Sequence, residues 1–192
     1  TVDGIANHML NFLENHDEQR FASKEYAGSA ELAIPSLVVA STINTGPTMI
    51  YFGQELGEKG QDAEGFSGLD GRTTIFDYWS VPTVRRWYNN GKCNNDKLTV
   101  SEQKLRETYS KILKLSTKEN AIAKGSFFDI MYVNYTNPTI NPHNIYAYLR
   151  CYESEIIVVT VNFSGNRYLC DLAIPQHAFD ILGISQGTYP AT

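Results

Sequence analysis

The stretch that most limits the fold is residues 8–55, where two short apolar runs flank a longer one. His8–Leu13 is continuous in apolar character apart from Asn11, as buried parallel strands are. Residues 28–43, GSAELAIPSLVVASTI, are long enough for a helix, with Pro35 either in its first turn or at a kink. Within TGPTMIYFGQE, Thr48–Phe52 reads as a second buried strand, entered through Gly46-Pro47 and left at Gly53. Strand, helix, strand is one right-handed crossover unit, so the first half of the chain is an α/β structure.

The pattern then changes. Residues 57–73, GEKGQDAEGFSGLDGRT, read as a long loop of the kind that often carries function. Its acids Asp62, Glu64 and Asp70 match no calcium-loop spacing. Pro82–Tyr88 suits a short helix with Pro at its first position. A longer helix begins after Thr99, which with Glu102 forms a T-x-x-E capping box. Leu105, Tyr109, Ile112, Leu113 and Ser116 recur at helical spacing and form its core face. After Gly125, FFDIMYV, IYAYLRCY, EIIVVTVNF and RYLCDLAI are short, β-branched and aromatic, and separated by Asn, Pro and Gly turns. They predict an antiparallel β domain over residues 123–192, following an α/β portion over residues 1–122.

Composition narrows the partners. In 192 residues, 42% hydrophobic content suffices for a sizeable core. A net charge of −5 offers no basic face for nucleic acid or an anionic membrane, which leaves neutral or small partners. No apolar run is long enough for a membrane span, and no signal peptide stands near Thr1. Without an initial Met the sequence reads as a piece of a longer polypeptide, whose expected place is extracytoplasmic: secreted, periplasmic or at the cell surface. Cys93, Cys151 and Cys170 are too scattered for a disulfide scaffold or a zinc site and read as free thiols, with a Cys151–Cys170 bridge as the alternative. The sequons at Asn134 and Asn162 matter only in a glycosylating secretory pathway.

Between the first strand and the helix lies the polar turn of NFLENHDEQRF, residues 11–21. Residues just after parallel barrel strands project into the site common to barrel enzymes, which marks His16, Asp17 and Arg20 as candidates, with Gln54 and Glu55 after the next strand. Spacing alone also allows Asp17 and Arg20 to pair with each other and His16 to cap a neighbouring element. Asn15 is expected to brace its own backbone.

ENHDEQRFAS at 14–23 resembles the last short motif of the α-amylase family of glycoside hydrolases, which ends in NHD. TGPTMIYFGQE at 45–55 is similar to that family's next strand, G-I-P-x-I-Y-x-G-Q-E, one helix further on. The β-rich tail resembles the family's C-terminal Greek-key sandwich. The resemblance implies about two βα units from the end of a TIM (β/α)8 barrel followed by an antiparallel Greek-key β-sandwich. It implies that Asp17 stabilises the transition state of α-1,4-glucan hydrolysis by binding hydroxyls of the distorted sugar, and is not the nucleophile. His16 would bond the same ring, and Arg20 would contact the substrate or steady Asp17. Bonds that strengthen in such a transition state supply several kcal/mol.

A retaining glycosidase needs two carboxyl groups about 5–5.5 Å apart. The family motifs that carry them, an R-x-D segment and a following Glu segment, are absent, so this chain is expected to be inactive alone and to need the missing N-terminal part of the same polypeptide. No cofactor is expected in the chain itself, and the resemblance leaves Ca2+ open for the intact enzyme. Two strands cannot close an eight-stranded barrel, so the chain is expected to self-associate or to leave its first half partly disordered. Two other readings stand beside hydrolysis. One is a sister activity such as transglycosylation or branching. The other is a non-catalytic carbohydrate-binding module using Tyr146, Tyr148, Tyr152 and Tyr168.

Overall fold

A computed structural model describes residues 4–61, 70–73, 75–76, 80–185 and 187–190. The chain divides into two compact units, one of Thr1–Thr42 with Gly46–Ser116 and one of Ile43–Thr45 with Thr117–Thr192. The main division thus falls between Ser116 and Thr117, where the sequence placed it at 122/123.

The first unit carries the crossover. Strand β1 (Asn11–Phe12) pairs in parallel with β2 (Thr48–Met49), Asn11 opposite Thr48 and Phe12 opposite Met49. Both strands are shorter than the apolar runs that contain them, because only these residues find a ladder partner. A 3-10 turn occupies Ala6–His8 where a strand was expected to begin. Between the strands, Ser29 accepts from the Glu31 backbone N–H and starts a 3-10 turn that runs into α1 (Ala33–Thr42). Pro35 sits in the first turn of α1, where its missing N–H costs nothing. At the other end, the Ser41 and Thr42 hydroxyls donate back to the Leu37 and Val38 carbonyls.

Helix α2 (Pro82–Tyr88) has Pro82 at its first position. In α3 (Val100–Lys118) the capping box is complete: the Glu102 N–H donates to Thr99 Oγ1 at 3.3 Å, and the Thr99 N–H donates to Glu102 Oε2 at 2.8 Å. Leu105 and Tyr109 then close with Leu37 into the core of this unit, with Leu13, Ile34, Ile50 and Ile112 packed around them. Burial pushes the Tyr109 phenol up to about 12, although the Gln54 amide donates to its oxygen.

In the second unit, α4 (Asn120–Ala123) leads into an antiparallel sheet in the order β3 (Ser126–Asp129), β4 (Ile145–Tyr152), β5 (Glu155–Asn162). Gly125 is required at this junction, since a Cβ there would stand 2.2 Å from the Ala121 carbonyl oxygen and 2.4 Å from that of Cys151. Ile145, Ala147, Leu149 and Cys151 of β4 pack with Ile130 and Met131 into the core.

Two expected strands differ. FFDIMYV is a strand only to Asp129, whose carboxylate accepts from the Met131 N–H and turns the chain into α5 (Met131–Asn134). RYLCDLAI joins no ladder. Its backbone is held instead by side chains: the Asn134 amide pairs with both the N–H and the C=O of Ala173, while Asn137 and Thr139 hold Asp171. The described residues of this unit therefore form one three-stranded sheet, and the last regular element among them is α6 (Gln176–Leu182).

Candidate functional site

Glu14 directly follows the apolar run, and its side chain turns inward, only 2% exposed. Its carboxylate clasps the far end of the polar turn: Oε2 accepts from Arg20 Nη1 at 2.9 Å and Oε1 from the Phe21 N–H at 2.7 Å. Burial raises the Glu14 pKa, while Arg20 and these hydrogen bonds oppose the rise. Above this clasp, Asn15 Oδ1 accepts from the Asp17 and Glu18 N–H groups at 2.8 and 3.0 Å, so Asn15 braces the turn as its residue type suggests.

His16 and Asp17 stand on the outside of the turn. Their side chains are 47% and 72% exposed, with His16 Nε2 3.5 Å from Asp17 Oδ2. An accessible imidazole beside an accessible carboxylate can donate to and accept from the hydroxyls of a neutral polar ligand.

The Arg20 side chain is fully buried, and its carboxylate partner in this chain is Glu14. Nε donates to Thr73 Oγ1 at 2.9 Å and Nη2 to the Phe52 carbonyl at 2.8 Å, while the guanidinium lies 4.3 Å from the Tyr51 ring centroid and 5.0 Å from that of Phe52. The Arg20 N–H also donates to the Gly71 carbonyl. Gly71 adopts a positive φ of +79°, and a Cβ there would stand 2.5 Å from Ser23 Oγ. Arg20 thus ties three segments together: the polar turn, the end of the β2 run and residues 71–73.

Sequence reasoning missed Glu14, Thr73 and Arg72. The signal for Glu14 was an acid continuing an apolar run six positions before an arginine. Arg72 is held by Asp70 and also feels the carboxylates of Asp17 and Glu18, which brings a cation to the exposed face of the turn. Gln54 is buried against Tyr51 and Tyr109, a packing position and not a site. Burial likewise raises the half-buried Glu55 carboxyl.

Of the three loop acids, Asp70 is paired with Arg72, and Asp62 and Glu64 lie outside the described residues. Among the described residues no group of three His, Cys, Asp or Glu is placed to hold a metal ion. No helix among them is long and apolar enough to cross a membrane. In the second unit Tyr148 is fully buried and its ring packs 5.2 Å from that of half-buried Tyr146, which leaves neither open as a sugar platform; Tyr168 is exposed.

No family model and no curated protein sequence matches the chain. Solved structures do. AmyP in complex with maltose is 20% identical over 82% of this chain and 31% of its own, with a TM-score of 0.55. A variant of AmyP in complex with maltotriose gives 20%, 82%, 31% and 0.53. Trehalose-6-phosphate hydrolase from Bacillus licheniformis is 16% identical over 85% of this chain and 36% of its own, with a TM-score of 0.50. The chain shares the fold of part of the α-amylase-family glycoside hydrolases, as its two motifs implied. It spans about a third of the length of these matched structures.

Proposed function

We propose that this chain is the part of a retaining α-amylase-type glycoside hydrolase that supplies the transition-state-stabilising carboxylate, Asp17, for cleavage of α-1,4-glucosidic bonds. The observation that carries the reading is the exposed His16–Asp17 pair on a turn braced from within and placed directly after a parallel strand. In this reading β1, α1 and β2 belong to a (β/α)8 barrel, and the sheet β3–β5 to the β domain that follows it. AmyP's complexes with maltose and maltotriose support an α-glucan as the substrate class.

Asp17 binds two hydroxyls of the sugar at the cleaved bond, and His16 donates to the same ring. These bonds shorten as the ring flattens toward the oxocarbenium-like transition state, which lowers the barrier more than it tightens substrate binding. The nucleophile and the acid/base are not assigned to this chain. Glu14 serves as neither, because both of its oxygens are engaged in the interior. The chain alone is therefore inactive, and activity belongs to the polypeptide that carries all three carboxyl groups.

The test is reducing-sugar release from soluble starch by that full polypeptide with Asp17 intact and as Asp17→Asn. A drop of several orders of magnitude in kcat with the fold unchanged by circular dichroism supports the reading. Near-normal activity of Asp17→Asn means the turn is structural. Activity on another glucosidic linkage but not on starch would transfer the site to a sister activity on the same fold.

A further inference from the structure

We infer that the buried Glu14–Arg20 pair is the positioning device for Asp17 and His16, an inference that rests on the function proposed above for the turn. Among the described residues, the Asp17 side chain stands 3.5 Å from His16, and both are exposed. Nothing in that pair fixes where it stands, so its placement must come from the backbone that carries it. That backbone is closed at its base by one carboxylate. Glu14 Oε1 takes the Phe21 N–H at 2.7 Å and Oε2 takes Arg20 Nη1 at 2.9 Å, so residues 15–19 are an excursion that leaves from Glu14 and whose far end is bound back to the Glu14 side chain.

Arg20 then fixes the closed turn in place. Its planar fork reaches Thr73 Oγ1 and the Phe52 carbonyl with Nε and Nη2, and a lysine ammonium has neither the reach in two directions nor the flat face that lies over Tyr51. Through Thr73 and the Gly71 carbonyl the same arginine sets the segment bearing Arg72, the cation that feels Asp17. A misplacement of about 1 Å at a reacting group costs about a hundredfold in rate, which is the scale on which such a brace matters.

Two variants test this. In Glu14→Gln and Arg20→Lys of this chain, 15N relaxation should show the order parameters of residues 15–19 falling from about 0.85 to below about 0.6, with β4 and β5 unchanged. Unchanged order in the turn of both variants overturns the inference. If Glu14→Gln does not fold, Arg20→Lys decides, since it keeps the charge and loses only the fork.

In the full hydrolase, Arg20→Lys should lower kcat by about tenfold to a hundredfold with KM within about twofold. In an Asp17→Asn background it should then lower kcat no further, because the residue it positions has gone; losses that multiply would overturn the positioning role. Failure of Asp17→Asn to affect activity would sink the proposed function instead, and the relaxation measurement would still judge the brace.

Discussion

Each of the two units buries one arginine almost completely, Arg20 in the first and Arg150 in the second, and they are held in opposite ways. Arg20 meets a carboxylate and two aromatic faces. Arg150 meets only carbonyl oxygens: Nε donates to Ala121, Nη1 to Ile43, and Nη2 to Ile122 and Gly125, at 2.7–3.2 Å. Burial accordingly lowers the Arg150 pKa, opposed by Tyr148 and Cys151. Three of these carbonyls belong to α4 and to Gly125 just before β3, and the fourth to Ile43. One arginine thus closes a loop that presents chemistry, and the other replaces a stretch of backbone ladder. Burial of a charge marks neither role by itself; the partners do.

The largest effect expected from this contrast is on stability in the second unit. Arg150→Met takes its donor from four carbonyls, two buried and two partly buried, and each buried one costs about 1–3 kcal/mol when left without a donor. With water entering to satisfy some of them, the net loss should be on the order of 5 kcal/mol by denaturant unfolding. It should also be flat between pH 5 and 8, because no titratable partner is left behind. A loss below about 1 kcal/mol would mean that the carbonyls find other donors and that the arginine is dispensable.

Arg20→Met should cost about 3–5 kcal/mol, since it leaves the Glu14 carboxylate buried without its cation. Here the loss should depend on pH. Burial already raises the Glu14 carboxyl above its ordinary range, and removing Arg20 removes the largest opposing effect. A carboxyl raised in the folded state favours folding while it is protonated, so the variant should be least impaired near pH 4 and lose stability as pH climbs through the folded pKa. A loss that does not vary with pH would place the two arginines in one class after all.

How much of this was legible in the sequence follows from how far apart the partners lie. Asn15 bracing its own turn, Thr99 and Glu102 closing a capping box, and the ends of β4 are contacts within a few residues, and each could be read directly. The parallel pairing of β1 and β2 was legible because a helix of the right length separates the two runs. The partner of Arg20 was not legible, because both Glu14 and Asp17 lie within reach along the chain and the arginine is also held by Thr73 and the Phe52 carbonyl, which no local spacing reports. The missing ladder of RYLCDLAI has the same origin: its composition suits a strand, but Asn134, Asn137 and Thr139 satisfy its backbone before another strand does.

Tyr109 offers a smaller test confined to the core of the first unit. Its phenol is pushed up to about 12 by burial, against an ordinary value of 10.0. Between those values the unfolded chain ionises and the folded chain does not, so stability should fall as pH rises from 10 toward 12, by about 3 kcal/mol in total. Tyr109→Phe should lose that alkaline slope while remaining folded at pH 7. A slope that persists in Tyr109→Phe would assign it to other groups.

The smallest effect should come from a third arginine, Arg86, which is partly exposed and grips Glu102 with two of its nitrogens. Burial works to raise the Glu102 pKa, but the bonds from Arg86 and from the Thr99 N–H outweigh it and hold the carboxyl below its ordinary value. Water reaches the guanidinium, so the pair is screened, and Glu102 keeps its capping bond from Thr99 whatever stands at position 86. Arg86→Lys should therefore cost about 0.5 kcal/mol, whereas Thr99→Ala, which removes the cap itself, should cost about 1 kcal/mol. Both losses are measurable as shifts in urea midpoint, and the order matters more than the size. If Arg86→Lys proves as costly as Arg20→Met, then the fork alone is what these arginines contribute. If it is the cheaper by several kcal/mol, exclusion of water around the pair is what makes Arg20 indispensable to the turn above it.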